Sequence, residues 1–241
     1  VYSTTPVLCT PDEVRRASEW LDKRMFQFGG VTELLPALRR AFDLPRTPDA
    51  EATARTIVVM TDGYVTVERE AIDLVRSRAS DANVFMLGIG TSVNRYIIDG
   101  LARAGNGESF VATGHTDGLT VIKQLQAYID APLLTHLNLS FGDEFVPVEM
   151  EPPALPDVFA SRPVLVVGKW TGTISGTVSL TGYAADGSLW TWSRDLHTLA
   201  PSDQMSPAIP LLWARTRIAV LSDYQSTSNI RSDQQWNTRS E

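Results

Sequence analysis

The sequence predicts an α/β chain: a doubly wound, mostly parallel sheet, followed by a smaller antiparallel β unit and a helix. Three observations carry this. Runs apolar on both faces, 56–60 and 84–89, alternate with amphipathic segments of helical spacing, which is the pattern of βαβ units with covered sheet faces. Beyond Leu133 the apolar runs shorten and Gly and Pro separate them. Near the end, 208–223 (AIPLLWARTRIAVLSD) returns to helical spacing.

Each element has its own signal. Residues 1–9 are short, β-rich and broken by Pro6. Thr10-Pro11-Asp12-Glu13 reads as a helix start, with Thr as cap, Pro at the first helical position and acids in the first turn. Val14, Ala17, Trp20, Leu21 and Met25 continue it, and Gly29-Gly30 stops it. A second helix opens near Thr32 through Leu34, Leu35, Leu38 and Phe42, with Pro36 tolerable because it lies near the start. Residues 43–54 are a polar loop. The strand 56–60 follows, then helix 67–79, strand 84–89 closed by Gly90, helix 93–104, strand 109–112 and helix 116–129, with Pro132 ending the half. In the second half, HLNLSFG puts Leu137, Leu139 and Phe141 on one face. Asp186-Gly187 joins two alternating runs as a hairpin turn, and Trp190 and Trp192 share a face. The expected organisation is an α/β domain over 1–134, a sandwich-like β segment over 135–207, a helix over 208–224 and a poorly ordered polar tail over 225–241.

Composition narrows the function classes. Of 241 residues 43% are hydrophobic and 20% charged, as in globular domains. The net charge of −7 opposes nucleic acid as a partner, because phosphate binding needs clustered Lys and Arg. Cys9 is the single cysteine, so no internal disulfide forms, and a packed apolar role is expected for it. No run approaches the roughly 20 apolar residues of a membrane span, and no signal peptide opens the chain.

The chemistry centres on Asp62, which ends the buried run IVVM at Thr61-Asp62-Gly63. Ligands of open parallel sheets bind beyond the carboxyl ends of the strands. Asp62 is placed there, and so is the hydroxyl of Thr32 if its helix packs alongside. Such hard oxygen ligands suit Mg²⁺, Mn²⁺ or Ca²⁺. Each residue also has a plain structural reading, Asp-Gly as a turn and Thr as a helix cap. Other motifs fail. GIGTSVN lacks the third glycine and the acidic partner of a dinucleotide fingerprint. There is no phosphate-binding loop and no nucleophile elbow. His115, His136 and His197 are scattered, and no Cys/His cluster suits zinc. Glu144, Glu149 and Glu151 read as solvated surface.

The order of GGVTELLPAL, TIVVMTDG and VFMLGIGTSVNRYIIDGLARAGNGESFVA resembles a von Willebrand factor type A domain. IDAPLLTHLNLSF, LPDVFASRPVLVVGKWTGTISGTVSLTG and LWARTRIAVLSDY resemble, more narrowly, the inter-alpha-trypsin inhibitor heavy-chain and bacterial VIT–VWA group. The resemblance implies a metal-ion-dependent adhesion site, with Thr32 at its second-loop position and Asp62 at its third. It implies a divalent cation whose coordination is completed by an acidic group of a protein partner, and an extracellular or cell-envelope setting. The site's first loop, Asp-x-Ser-x-Ser, occurs nowhere in the chain. By the family pattern the first strand, the first helix and most of the second strand are missing, Val1-Tyr2-Ser3 matching that second strand's end. The closing β segment and the VIT domain are missing too, so the chain reads as an internal fragment, or a truncated paralogue, of a longer protein.

Three functions compete. The first is an adhesion or protein-interaction module that depends on a cation in its complete form. The second is a structural piece with an inert rim. The third is an enzyme using Asp62 as phosphoacceptor, which lacks the expected neighbouring acid or lysine. The incomplete site predicts negligible Mg²⁺ binding by this chain alone. A sheet without its middle strand, with exposed apolar surface and bare edges, predicts that the isolated chain is unstable, self-associates or borrows a strand from another chain.

Overall fold

The computed structural model describes residues 1–25, 33–46, 53–62, 69–130, 132–142, 144–160, 162–199 and 206–237. Of 25, 115–117 and 224–237 it describes only the backbone. Helix α1 (Pro11–Met25) begins as its cap predicts, with Glu13 N–H donating to Thr10 Oγ1 at 3.2 Å. Tyr2 packs edge-on against Trp20 and its hydroxyl donates to Glu13. The helix's apolar stripe is otherwise open: Val14 and Leu21 are exposed. Cys9 is exposed as well, contrary to the packed role expected, because residues 1–10 form no strand that would carry it inward.

Strands β1 (Thr56–Thr61), β2 (Asn83–Ile89) and β3 (Asn106–Ala112) form a parallel sheet in that order. Helices α2 (Leu34–Phe42), α3 (Arg69–Ser77) and α4 (Arg95–Ala104) cover one face. Leu38, Phe42, Val75, Ile98 and Leu101 pack there on Val84 and Met86, with Ile57 and Val59 alongside. Helix α5 (His115–Ile129) covers the other face over β2 and β3, where Phe85 and Leu125 meet Phe159. The mixed, helix-covered parallel sheet is the predicted class.

One expectation fails on β1. Its apolar run implied cover on both faces, but Val58 is 38% and Met60 65% exposed. By register they share a face with Phe85 and Leu87, yet α5 reaches only β2 and β3. Among the described residues β1 also has no neighbour on its outer edge.

Two turn positions show why particular residues stand where they do. β3 starts with Asn106 in the left-handed region (φ 55) followed by Gly107. A Cβ at Gly107 would lie 1.9 Å from the Val84 carbonyl oxygen, so only glycine lets the strands close at this irregular register. Gly187 (φ 80) makes the hairpin turn between β8 (Thr177–Ala184) and β9 (Leu189–Asp195), where the sequence predicted it.

The antiparallel half forms two sheets. One has the order β6 (Val158–Phe159), β4 (Pro132–Ser140), β8, β9. The other pairs β5 (Phe145–Glu151) with β7 (Val167–Gly172). Pro132 therefore opens a strand. Leu139, Leu180 and Trp192 stand opposite one another across β4, β8 and β9. Helix α6 (Ala208–Asn237) includes the predicted helix and takes in residues 225–237 of the polar tail; residues 238–241 lie outside the described residues. Its first half docks on α4, β5 and β7. Arg103 Nη1 meets both Asp223 oxygens (2.7 and 2.6 Å), and Arg217 Nη1 meets Glu151 Oε1 at 2.6 Å. Glu149 and Glu151 thus lie on a strand, and Glu151 is buried, not surface-solvating, because α6 brings it a guanidinium.

Buried polar bonds bolt the β unit to the amino end of the parallel sheet. Asn83 Nδ2 donates to Asp157 Oδ2 at 2.7 Å, and Asp157 N–H donates back to Asn83 Oδ1 at 3.3 Å. The His136 N–H donates to Asp157 Oδ1 at 3.1 Å. Asn106 Nδ2 donates to the Ala154 carbonyl at 2.8 Å. Arg162 donates to the Asn106 and Gly107 carbonyls at 2.6 and 2.9 Å, and its burial lowers its pKa. These groups need partners because they are withdrawn from water.

Burial also pushes the Asp157 carboxyl pKa up, against the opposing pull of the His136 N–H, Asn83 and the more distant charges of His136 and Arg46. The folded state therefore holds this proton more tightly than the unfolded chain. Its contribution to stability is present below the ordinary carboxylate pKa and is lost as pH rises through the raised value. Urea unfolding from about pH 4 to about pH 7 should show that downward slope reduced in Asp157→Asn. An unchanged slope would place the titration elsewhere.

Candidate functional site

The carboxyl end of the parallel sheet faces away from the bolted β unit. Register sets its composition. Thr61 lies opposite Gly88 and Gly88 opposite Val111, so the strands end together at Asp62, Ile89-Gly90 and Ala112-Thr113. Gly90 (φ 96) donates its N–H to the Ala112 carbonyl at 2.7 Å, which tightens the rim between β2 and β3. Gly88 is small for a packing reason: a Cβ there would come within 2.8 Å of Ile98 Cδ1.

Asp62 stands directly beyond β1, exposed, where the strand pattern put it. Its carboxylate makes no hydrogen bond or ion pair among the described residues. Thr32, with the Gly29-Gly30 turn before it, lies outside the described residues, so the juxtaposition of Thr32 with Asp62 rests on sequence. Among the described residues no group of three or more His, Cys, Asp or Glu could hold a metal ion. Asp62 is a single hard donor. Mg²⁺ wants six oxygens in near-octahedral array, and Thr32 would add one neutral hydroxyl. The donor set in hand does not fit a self-sufficient Mg²⁺ centre.

Sequence reading missed the apolar character of this rim. Ile89, Leu119 and Ile122 are exposed, and a cavity of about 300 Å³ opens between the ends of β2 and β3 and helix α5. Met60 shares that sheet face. The signal was present in Leu119 and Ile122, three apart on α5, but spacing alone reads as core. Two of the scattered histidines lie apart: His136, exposed and at φ 51, packs edge-on against Tyr183, and His197 lies in the turn after β9.

The fold is thus a helix-covered parallel sheet whose carboxyl rim presents an exposed aspartate, and it has relatives among known proteins. Residues 3–110, a little under half of the chain, match the family model described as von Willebrand factor type A domain. One von Willebrand factor A domain-containing protein of Dictyostelium discoideum is 24% identical over 155 residues, covering 64% of this chain and 16% of that protein. Another from the same organism is 27% identical over 126 residues, covering 52% of this chain and 13% of its own length. The chain thus spans less than a fifth of the length of these relatives. Among solved structures, the von Willebrand factor type A protein from Catenulispora acidiphila aligns at 15% identity with a TM-score of 0.43, over 67% of this chain and 45% of that one. The ArnB paralog VWA2 from Sulfolobus acidocaldarius aligns at 19% identity with a TM-score of 0.36, over 58% and 40%. No described helix is long and apolar enough to cross a membrane.

Proposed function

We propose that this chain is part of a non-enzymatic protein-interaction module that engages its partner at the carboxyl rim of the parallel sheet. The match of residues 3–110 to the von Willebrand factor A domain carries this reading, since such domains commonly bind proteins. The exposed Asp62 carboxylate, without a hydrogen bond or ion pair among the described residues, supports that rim as the contact surface. In the complete site Thr32 and Asp62 contribute to a divalent-cation centre that an acidic side chain of the partner completes. A cation held largely by neutral hydroxyls keeps positive character, which is what attracts a carboxylate. We further infer membership of the inter-alpha-trypsin inhibitor heavy-chain and VIT–VWA group, a bacterial source, and an adhesive role outside the cell or in its envelope. The quoted segments of the β-rich half support these finer assignments.

The metal reading has a direct test. Calorimetric titration of this chain with Mg²⁺ should give no micromolar affinity, because loss of outer-shell partners alone costs about 10- to 100-fold and here ligands themselves are missing. Joining an Asp-x-Ser-x-Ser loop in front of the chain should create binding that Asp62→Ala abolishes. Micromolar affinity in the unmodified chain, or no effect of Asp62→Ala in the extended one, would overturn the assignment.

The bare edge of β1 supports self-association. Among the described residues no strand pairs with its outer edge, and that edge with the exposed Val58 and Met60 favours strand addition from a second chain. Sedimentation over a range of concentrations should show the average mass rising. A constant monomer mass would refute it.

A further inference from the structure

A second site lies at the opposite end of the molecule from the rim. A cavity of about 430 Å³ opens where the amino end of the parallel sheet meets the β unit. Leu137, Leu139 and Phe141 of the β4 segment form one apolar wall, and Pro147 and Met150 of β5 form another. The polar part carries Asp157, Asn83, Asp81, Arg55 and His136. This size and this mixture of apolar walls with few polar groups are those of small-ligand sites.

The charges of the polar part are not equivalent. Arg55 spends its Nη2 on the Ala41 and Leu44 carbonyls at 2.6 and 3.1 Å. Asp81 is held by Arg78 Nε at 2.5 Å. Asp157 differs: among the described residues it forms no ion pair. Its two oxygens each accept one hydrogen bond, from Asn83 Nδ2 and the His136 N–H, both uncharged donors. A carboxylate has about four acceptor positions, so each oxygen retains capacity. Charges withdrawn from water are ordinarily paired. Here the group is left with neutral donors on the wall of an apolar-sided cavity; the charges of His136 and Arg46 act on it from further off without forming an ion pair among the described residues, so an entering cation can make the direct contact.

We propose that this cavity binds a ligand bearing one amine or guanidinium group on an apolar body, the cationic head on Asp157 and the body between the β4 and β5 walls. The head is either that of a free small molecule or a Lys or Arg side chain presented by a protein. The two share the chemistry and are separable by experiment. The site is independent of the carboxyl rim, so it stands or falls apart from the adhesion reading.

The test uses the 241-residue chain, phenethylammonium, and the neutral isostere propylbenzene. A third probe is an end-blocked peptide with one lysine between leucines. Two-dimensional amide NMR should show shifts confined to residues 81–83, 136–139 and 150–157 with the ammonium probe, and binding at least about tenfold weaker for the neutral one, the worth of a charged hydrogen bond. Asp157→Asn should remove the preference for the charged probe while the neutral probe binds as before. That second measurement distinguishes a lost site from a misfolded chain. Peptide binding as tight as the small amine assigns a protein side chain, and binding of the amine alone assigns a small molecule. Equal binding of charged and neutral probes, shifts elsewhere, or no saturable shift with any probe overturns the proposal.

Discussion

Phe85→Ala is expected to cost about 3–5 kcal/mol of stability and to lower the melting midpoint by roughly 10 °C in a chain of this length. Phe85 is 0% exposed on the central strand β2. Its ring meets Phe159 edge-on at a centroid distance of 6.1 Å, in the cluster that also holds Leu125 of α5. One side chain therefore ties three parts together: the parallel sheet, the helix on its second face, and strand β6 of the β unit. Truncation leaves a void between the α/β sheet and the antiparallel sheet, and neither can move to fill it while the Asn83–Asp157 bonds hold them in place. The measurement is thermal and urea unfolding followed by circular dichroism. A midpoint change of less than about 3 °C would mean that the Phe85 cluster does not join the units, given the shift per kcal/mol typical of such chains. Val59→Ala, on the better-filled opposite face but only partly buried, should cost less.

Arg103→Ala should release helix α6. Arg103 binds both oxygens of Asp223, whose side chain is 4% exposed, and the glycine at position 100 leaves room for that carboxylate against α4. Breaking a buried pair by deleting one partner costs about 3–5 kcal/mol. With the guanidinium about a third exposed, roughly 2–3 kcal/mol is the better expectation. The loss should be local. Amides of residues 208–223 should exchange faster while those of β2 keep their protection. Trp213 reports the same event, because its Nε1–H donates to the Glu149 carbonyl at 3.0 Å and Lys169 Nζ lies 3.9 Å from its ring centroid. Its fluorescence should shift to that of a solvated indole. Unchanged exchange in α6 would show that the Arg217–Glu151 pair and the Trp213 contacts hold the helix unaided.

Much of this architecture was legible in the chain. The Thr10-Pro11 start of α1, the Asp186-Gly187 hairpin and the buried strand ending at Gly90 each follow from a local requirement: a cap, a positive φ, a run too apolar for solvent. Asp62 was found because an aspartate after such a run must fall at a strand's carboxyl end. The rest depended on neighbours far away in sequence. Glu151 looks like any surface acid until α6 delivers Arg217 to it. Asp157 looks like a loop residue until Asn83, 74 positions earlier, closes on it. Met60 looks like core until the sheet proves to have no described cover over β1.

The sequence by itself determined the order and kind of the elements and the position of one rim carboxylate, because periodicity, caps and turn residues act over a few residues. Tertiary structure alone decided which faces are covered, which acids are buried, and that a cavity lined by Asp157, which forms no ion pair among the described residues, lies where the two units meet. Burial and charge pairing are set by what packs opposite a residue, and no local pattern specifies that partner.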